Sequence, residues 1–184
     1  MAIKNKEVYE GQVIKQVKGI TKIFDGFFTK EKFDNVIELG TGNGAFSAYF
    51  AKKCQKIKAS FTTIDINPIN TKTKKYLTKL NADVVTCDIN ESDIIETLIS
   101  GEGRCLLLND GGLKVPEFIR FAPVLKEDDF MMTHDYYTTG RTSAGGIIIM
   151  EDVDECIIGN DLETCYESIF NNALWLCVKK RLSS

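Results

Sequence analysis

What the sequence lacks excludes a good deal. No apolar run approaches the roughly 20 residues that cross a bilayer. The N-terminus, MAIKNKEVYEGQ, is polar and has no apolar core of a signal peptide. No membrane partner is therefore expected. Positive charge is not in excess: the formal net charge is −3, which gives no strong nucleic-acid signal, because phosphate binding calls for a basic face. None of the six cysteines (Cys54, Cys87, Cys105, Cys156, Cys165 and Cys177) forms a CxxC pair, and most sit in apolar runs. They read as buried thiols in a reducing compartment, the cytoplasm of a cell or of an infected host, rather than as disulfides or a zinc site. Internal repeats and low-complexity stretches are absent too. The 184 residues suffice for one domain with a real core, spanning 1–184, and are too few for two.

What is present is an alternating pattern. Val13, Val17, Ile20 and Phe24 recur at helical spacing and predict an amphipathic helix over about 8–28, part of an N-terminal helical segment (1–30) packed on the domain. Strands are then predicted at Asn35–Leu39, Ser60–Asp65, Val84–Cys87, Arg104–Leu108 and Phe130–Thr133. Helices fall between them at 45–54, 71–80, 93–100 and 116–125. Pro68 and Pro116 suit helix starts, Gly101 a helix end, and Pro123 shortens the fourth of these helices. A polar loop, Tyr136–Gly146, and a helix within 147–160 follow. Cys165–Phe170 and Ala173–Lys180 then read as a hairpin turning at Asn171-Asn172. Strands separated by helices imply an α/β fold: a mostly parallel, seven-stranded sheet with helices on both faces and a C-terminal antiparallel hairpin. Ligands of such sheets sit beyond the carboxyl ends of the strands, so the chemistry belongs to the residues that follow each strand.

The most informative of those stretches is Asn35–Ser47, NVIELGTGNGAFS. An apolar run ends in Glu38, and Gly40, Gly42 and Gly44 follow at every second position before a helix begins. This is a strand, a glycine turn and a helix N-terminus, where backbone N–H groups can approach a ligand closely. Gly40-Thr41-Gly42-Asn43-Gly44 also matches a relaxed dinucleotide fingerprint, a weak signal alone. Glu38 helps to decide, because a carboxylate beside the turn repels a pyrophosphate and suits a ligand with a cationic amino-acid end, such as S-adenosylmethionine (SAM). Asp65 ends the next strand, followed by Ile66, and can accept both ribose hydroxyls; it can equally form a turn with Asn67-Pro68. Asp88 can accept from the adenine amino group or cap the following helix.

In this order and spacing the residues resemble the class I SAM-dependent methyltransferases over about Phe33–Asp135. The resemblance implies that Gly40, Gly42 and Gly44 hold the methionine part of SAM, Asp65 the ribose, and Asp88 the adenine, with Glu38, Thr41, Ile66 and Asn109 also at the cofactor. The segment LLLNDGGLKVPEFIRFAPVLKEDDFMMTHDYYTTG is similar to the cephalosporin-hydroxylase/rhamnosyl O-methyltransferase group. That likeness implies O-methylation of a small-molecule or sugar hydroxyl, with a magnesium ion held by Asp110 and Asp135. It departs from the group at Leu113, where a histidine is common, and at Asp128-Asp129, where two glycines are usual. Asn109, Glu151 and Asp152 are candidates for a third ligand.

Physically, neighbouring strands lie about 4.8 Å apart, so Asp110 and Asp135 can meet at one ion if their strands are adjacent. Magnesium needs only one or two carboxylates, with waters and substrate oxygens for the rest. Without a metal, His134, the only histidine, can act as general base oriented by Asp135. Lys114 can bind an acidic substrate or assist deprotonation. Tyr136, Tyr137 and Arg141 lie in a loop able to close over a substrate. The basic helix face of Lys72, Lys74, Lys75 and Lys79 reads as a solvated surface. A SAM-binding module that assists a partner, and a nicotinamide-dependent oxidoreductase, are the competing readings; a homodimer would compensate for so short a chain.

Overall fold

The computed structural model describes residues 7–139 and 146–182, so Arg141 lies outside the described residues. The helix expected over 8–28 begins later. β1 (Glu7–Tyr9) and β2 (Gln12–Ile14) pair antiparallel, and α1 (Ile20–Lys30) follows. Glu10 and Gly11, both at positive φ, make the hairpin turn, and β-branched Val8, Val13 and Ile14 favour extended backbone. The apolar spacing holds only from Ile20 on, where Ile20, Phe24, Phe27 and Phe28 form the buried face of α1.

Strand and helix then alternate: β3 (Asn35–Leu39), α2 (Ala45–Ile57), β4 (Ser60–Asp65), α3 (Thr71–Lys79), β5 (Ala82–Thr86), α4 (Ile94–Ile99), β6 (Cys105–Asn109), α5 (Lys114–Phe121) and β7 (Phe130–His134). Pro123 has the shortening effect expected of it, for α5 gives way to a 3-10 turn at Ala122–Val124. Beyond β7 come α6 (Asp154–Gly159), β8 (Leu162–Thr164), α7 (Glu167–Phe170) and β9 (Trp175–Lys180). The expected antiparallel hairpin is present, with its first strand earlier in the chain than expected. β8 and β9 do pair antiparallel, but Glu167–Phe170 coils into α7 and Asn171–Ala173 into a 3-10 turn. That turn of helix sets Phe170 against Phe24, Phe27 and Tyr166, a packing that offsets the strand pairing forgone.

The seven-stranded sheet has the order β5-β4-β3-β6-β7-β9-β8. β3 to β7 run parallel and β9 antiparallel to both its neighbours. Alternate side chains divide between two layers. Val36, Leu106, Leu108, Phe130, Met132 and Trp175 pack with Phe24, Phe50 and Leu77 of α1 to α3. Ile37, Leu39, Leu107, Met131, Leu176 and Val178 pack with Ile95, Phe118 and Ile157 of α4 to α6. Each such side chain contributes about 1.5–3 kcal/mol by burial, before the entropy of ordering it. No helix of the described residues is long and apolar enough to cross a membrane.

Local chemistry fixes the element ends. Asp128 takes a positive φ of 68°, the conformation for which glycine is usual, before β7. Asp129 is fully buried and accepts hydrogen bonds from the backbone N–H of Cys105 (2.7 Å) and of Lys126 (2.9 Å), tying β6 to the start of β7. At α3 the side chain of Asn70, not Pro68, caps the helix by accepting from the Thr73 N–H at 2.9 Å. Asn70→Ala is therefore expected to cost about 1 kcal/mol, read as a lower midpoint in urea with an unchanged slope.

Candidate functional site

Strand order reverses between β3 and β6, and a cavity of about 540 Å³ opens at their carboxyl ends. One end of it is the glycine turn. Gly40, Thr41, Gly42 and Asn43 line the cavity. Gly44 does not belong with them: a Cβ there would meet Thr73 Cγ2 at 2.3 Å, so its smallness lets α2 pack against α3. Glu38 lies at the floor, 2% exposed. Its Oε2 accepts hydrogen bonds from Thr63 Oγ1 (2.6 Å) and from the Ser47 hydroxyl. Thr41 extends this hydroxyl network to Thr63 at 2.7 Å. Burial pushes the Glu38 carboxyl up to about 8, against the pull of the Ser47 and Thr63 hydrogen bonds, with the nearby Asp110 and Asp65 adding to the rise. Near neutral pH the group is mostly the uncharged acid.

Asp65 is both a turn former and a cavity residue. Its Oδ1 accepts from the Asn67 N–H at 2.9 Å and its Oδ2 from the Gly42 N–H at 3.0 Å, so it is pinned to the glycine turn. Each oxygen keeps acceptor capacity. Asp88 likewise caps Asn90 through its backbone N–H (2.9 Å) and faces the cavity. Ile66, 59% exposed, stands at the mouth with Ile89 nearby. Asn109 is not brought there. It is fully buried, its Nδ2 donates to the Lys114 carbonyl (3.4 Å), and the last residue of β6 points into the protein rather than toward the cavity.

At the other end, Asp110 follows β6, and His134 and Asp135 close β7. One donor atom from each lies within 4.8 Å of the others. His134 Nδ1 is 3.0 Å from Asp110 Oδ1 and 3.5 Å from Asp135 Oδ2. The histidine is thus aligned chiefly by Asp110, not by Asp135. Lys114 is not a solvated lysine: it is 2% exposed, and its Nζ donates to Asp110 Oδ1 (3.1 Å) and to the Gly111 carbonyl (2.7 Å). Burial works against the Asp110 charge, but the His134 and Lys114 contacts outweigh it and hold the carboxyl below its ordinary value. Glu151 and Asp152 are not drawn in as third ligands. Asp152 accepts from the Ile149 N–H, and His134 takes the third place.

Two further residues belong to the site and had no motif to announce them. Gln16, just after β2, donates from Nε2 to Asp110 Oδ2 at 2.8 Å, and its Oε1 accepts from Trp175 Nε1 at 3.2 Å. An indole N–H is a donor only, so Trp175 fixes which way the amide faces. Glu117, 5% exposed, accepts from the N–H groups of Gly112 (3.1 Å) and Leu113 (3.0 Å) and so clamps the Asp-Gly-Gly turn from below. Leu113, in the place where a histidine is common, is half exposed and lines the cavity. All six cysteines are free thiols.

No family model matches the chain, and no curated protein matches it. Solved structures do. CmcI in an apo form shares 13% identity over 96% of this chain and 77% of its own, with a TM-score of 0.69. CmcI with Mg and SAM shares 14% over 94% and 76%, with a TM-score of 0.64. The N-terminal domain of EvdMO1, in the presence of SAH (S-adenosylhomocysteine, the demethylated cofactor) and D-fucose, shares 14% over 97% and 91%, with a TM-score of 0.61. By architecture, strand order and these likenesses, the chain has the Rossmann-like fold of the class I SAM-dependent methyltransferases.

Proposed function

We propose that the protein is a SAM-dependent methyltransferase that methylates a hydroxyl of a small molecule or sugar. One observation carries this reading: a single cavity joins Glu38, the glycine turn, Asp65 and Asp88 to the Asp110–His134–Asp135 cluster. Neighbours solved with SAM, SAH, magnesium and D-fucose support the cofactor and a hydroxyl acceptor. The six free thiols support a reducing, cytoplasmic setting.

In this reading the Gly40–Asn43 turn receives the methionine end of SAM, and Glu38 faces its ammonium group. Asp65, held by the Gly42 N–H, accepts the ribose hydroxyls. Asp88 accepts the adenine amino group, and Ile66 and Ile89 cover the ring. The acceptor hydroxyl lies at the far cluster, where Asp135, the more exposed of its two carboxylates, takes its proton. The oxygen attacks the methyl carbon in line. The carbon–sulfur bond breaks, its electron pair stays on sulfur, and SAH leaves. Alignment of the two ends by one rigid sheet edge supplies much of the rate.

The residues also fit a divalent cation. One donor atom from each of Asp110, His134 and Asp135 lies within 4.8 Å of the others. Asp110, His134 and Asp135 would hold the ion, which when bound lowers the pKa of a coordinated hydroxyl.

Calorimetry with SAM and SAH, then turnover of SAM against a panel of hydroxylated acceptors, tests the proposal. The expected result is micromolar-range binding of SAH, typical of a small-molecule site, and methyl transfer to at least one acceptor. Binding without turnover on any acceptor would favour a SAM-binding module, and absence of binding would remove both readings.

A further inference from the structure

We infer that the Asp110–His134–Asp135 cluster is a site for a nitrogen-preferring divalent metal such as zinc or ferrous iron, and discriminates against magnesium. The inference rests on the proposed function only in that the same cavity holds SAM. It follows from two features of this chain. The first is the donor set. Magnesium is a hard ion that demands oxygen ligands and gives up water reluctantly, whereas an imidazole nitrogen suits zinc, iron and nickel. Here one of the three donors is nitrogen: His134 Nδ1 lies 3.0 Å from Asp110 Oδ1, a hydrogen bond in the ion's absence, and 3.5 Å from Asp135 Oδ2, so one donor atom from each residue can turn to a shared ion.

The second feature is charge. A site for magnesium gains affinity mainly from accumulated negative charge. Asp110 and Asp135 bring two carboxylates, but the buried Lys114 ammonium sits 3.1 Å from Asp110 Oδ1 and offsets one of them. The site therefore offers one net negative charge and one nitrogen, so the affinity that charge does not give must come from the metal–nitrogen bond. Gln16 completes the arrangement. Its Nε2–H occupies Asp110 Oδ2, which leaves Oδ1 as the oxygen turned toward His134. Trp175 packs against His134 at a tilt of 41°, with ring centroids 4.9 Å apart, and limits rotation of the imidazole.

The chain contains one histidine, so nitrogen-15 labelling of histidine gives a spectrum with a single, already assigned, ring. Titration of the full chain with zinc, in the presence of SAH, should shift the Nδ1 resonance and lock the Nε2–H tautomer. Magnesium should leave Nδ1 in place up to a concentration about 100-fold higher. His134→Glu, which replaces the nitrogen by a carboxylate, should narrow the zinc-over-magnesium preference, read for both proteins by calorimetry with each metal, by about tenfold or more, with magnesium gaining. The inference fails if magnesium moves Nδ1 as readily as zinc does, or if zinc binds and leaves Nδ1 unmoved. It also fails if SAH binds but neither metal reaches the ring, an outcome that leaves the methyltransferase reading intact. Loss of SAH binding itself would count against that reading instead. The wild-type spectra decide the matter even if the variant does not fold.

Discussion

Gly40→Ala is expected to abolish SAH binding and to destabilise the protein by about 3 kcal/mol or more. Two costs add. Gly40 has φ +91°, a backbone conformation that a side chain strains. A Cβ there would also lie 2.3 Å from the Asp110 carbonyl oxygen and 2.8 Å from its carbon. Those atoms belong to backbone and cannot rotate away. Nor can the strands part, because Leu39 pairs with Asn109 and the Asp110 N–H donates to the Leu39 carbonyl at 3.0 Å. Gly42→Ala is the control: φ is also positive, but nothing lies within 4 Å of the new atom, so the cost is strain alone, about 1 kcal/mol. Urea denaturation with calorimetry of SAH measures both effects. A Gly40→Ala protein within 1 kcal/mol of wild type would contradict the argument.

Glu38→Gln should move stability and binding in opposite directions. The folded-state pKa is raised, from 4.5 to about 8. The folded protein therefore favours the protonated acid. Its contribution is complete below pH 4.5, is lost as pH rises toward 8, and is constant beyond. The full difference is roughly 5 kcal/mol. Gln keeps an acceptor for Ser47 and Thr63 and cannot ionise. At pH 8.5 the variant should therefore be more stable than wild type by a few kcal/mol, and near pH 4.5 the two should be close. The ligand's ammonium group needs the carboxylate, so wild-type SAH affinity should rise between pH 6.5 and 8.5, with release of about one proton. Glu38→Gln should lose that rise and bind about tenfold or more weakly at pH 8.5. Calorimetry in buffers of different ionisation enthalpy counts the proton. Parallel pH dependences in the two proteins would exclude Glu38 as the group involved.

The alternating core was legible because each strand is a short apolar run ending in a turn former, a signal carried within a few residues. Glu38, Asp65, Asp88, Asp110 and Asp135 were legible for the same reason: a parallel sheet puts the residues at and just beyond each strand's carboxyl end on one edge. The misreadings have a common physical origin in contacts that are distant in sequence. The helical spacing of Val13 and Val17 competed with a hairpin turn at Glu10-Gly11. The strand-like run Cys165–Phe170 yielded to an aromatic cluster contributed by α1. Gln16 and Glu117 carry no local mark, since a glutamine in a loop and a glutamate in a helix are ordinary surface residues. Only the fold brings them to the site. Gly44 and Asn109 show the converse: motif positions whose side of the backbone is set by packing, one against α3 and the other into the core.

The Gln16–Trp175 hydrogen bond spans 159 residues of chain. During synthesis the glycine turn and the first five parallel strands can emerge and pair before β9 exists. The Gln16 amide and the plane of the His134 ring, both of which Trp175 contacts, cannot be set until Trp175 has left the ribosome and paired with β7. The nascent protein thus has a cofactor cradle before it has an ordered reaction centre.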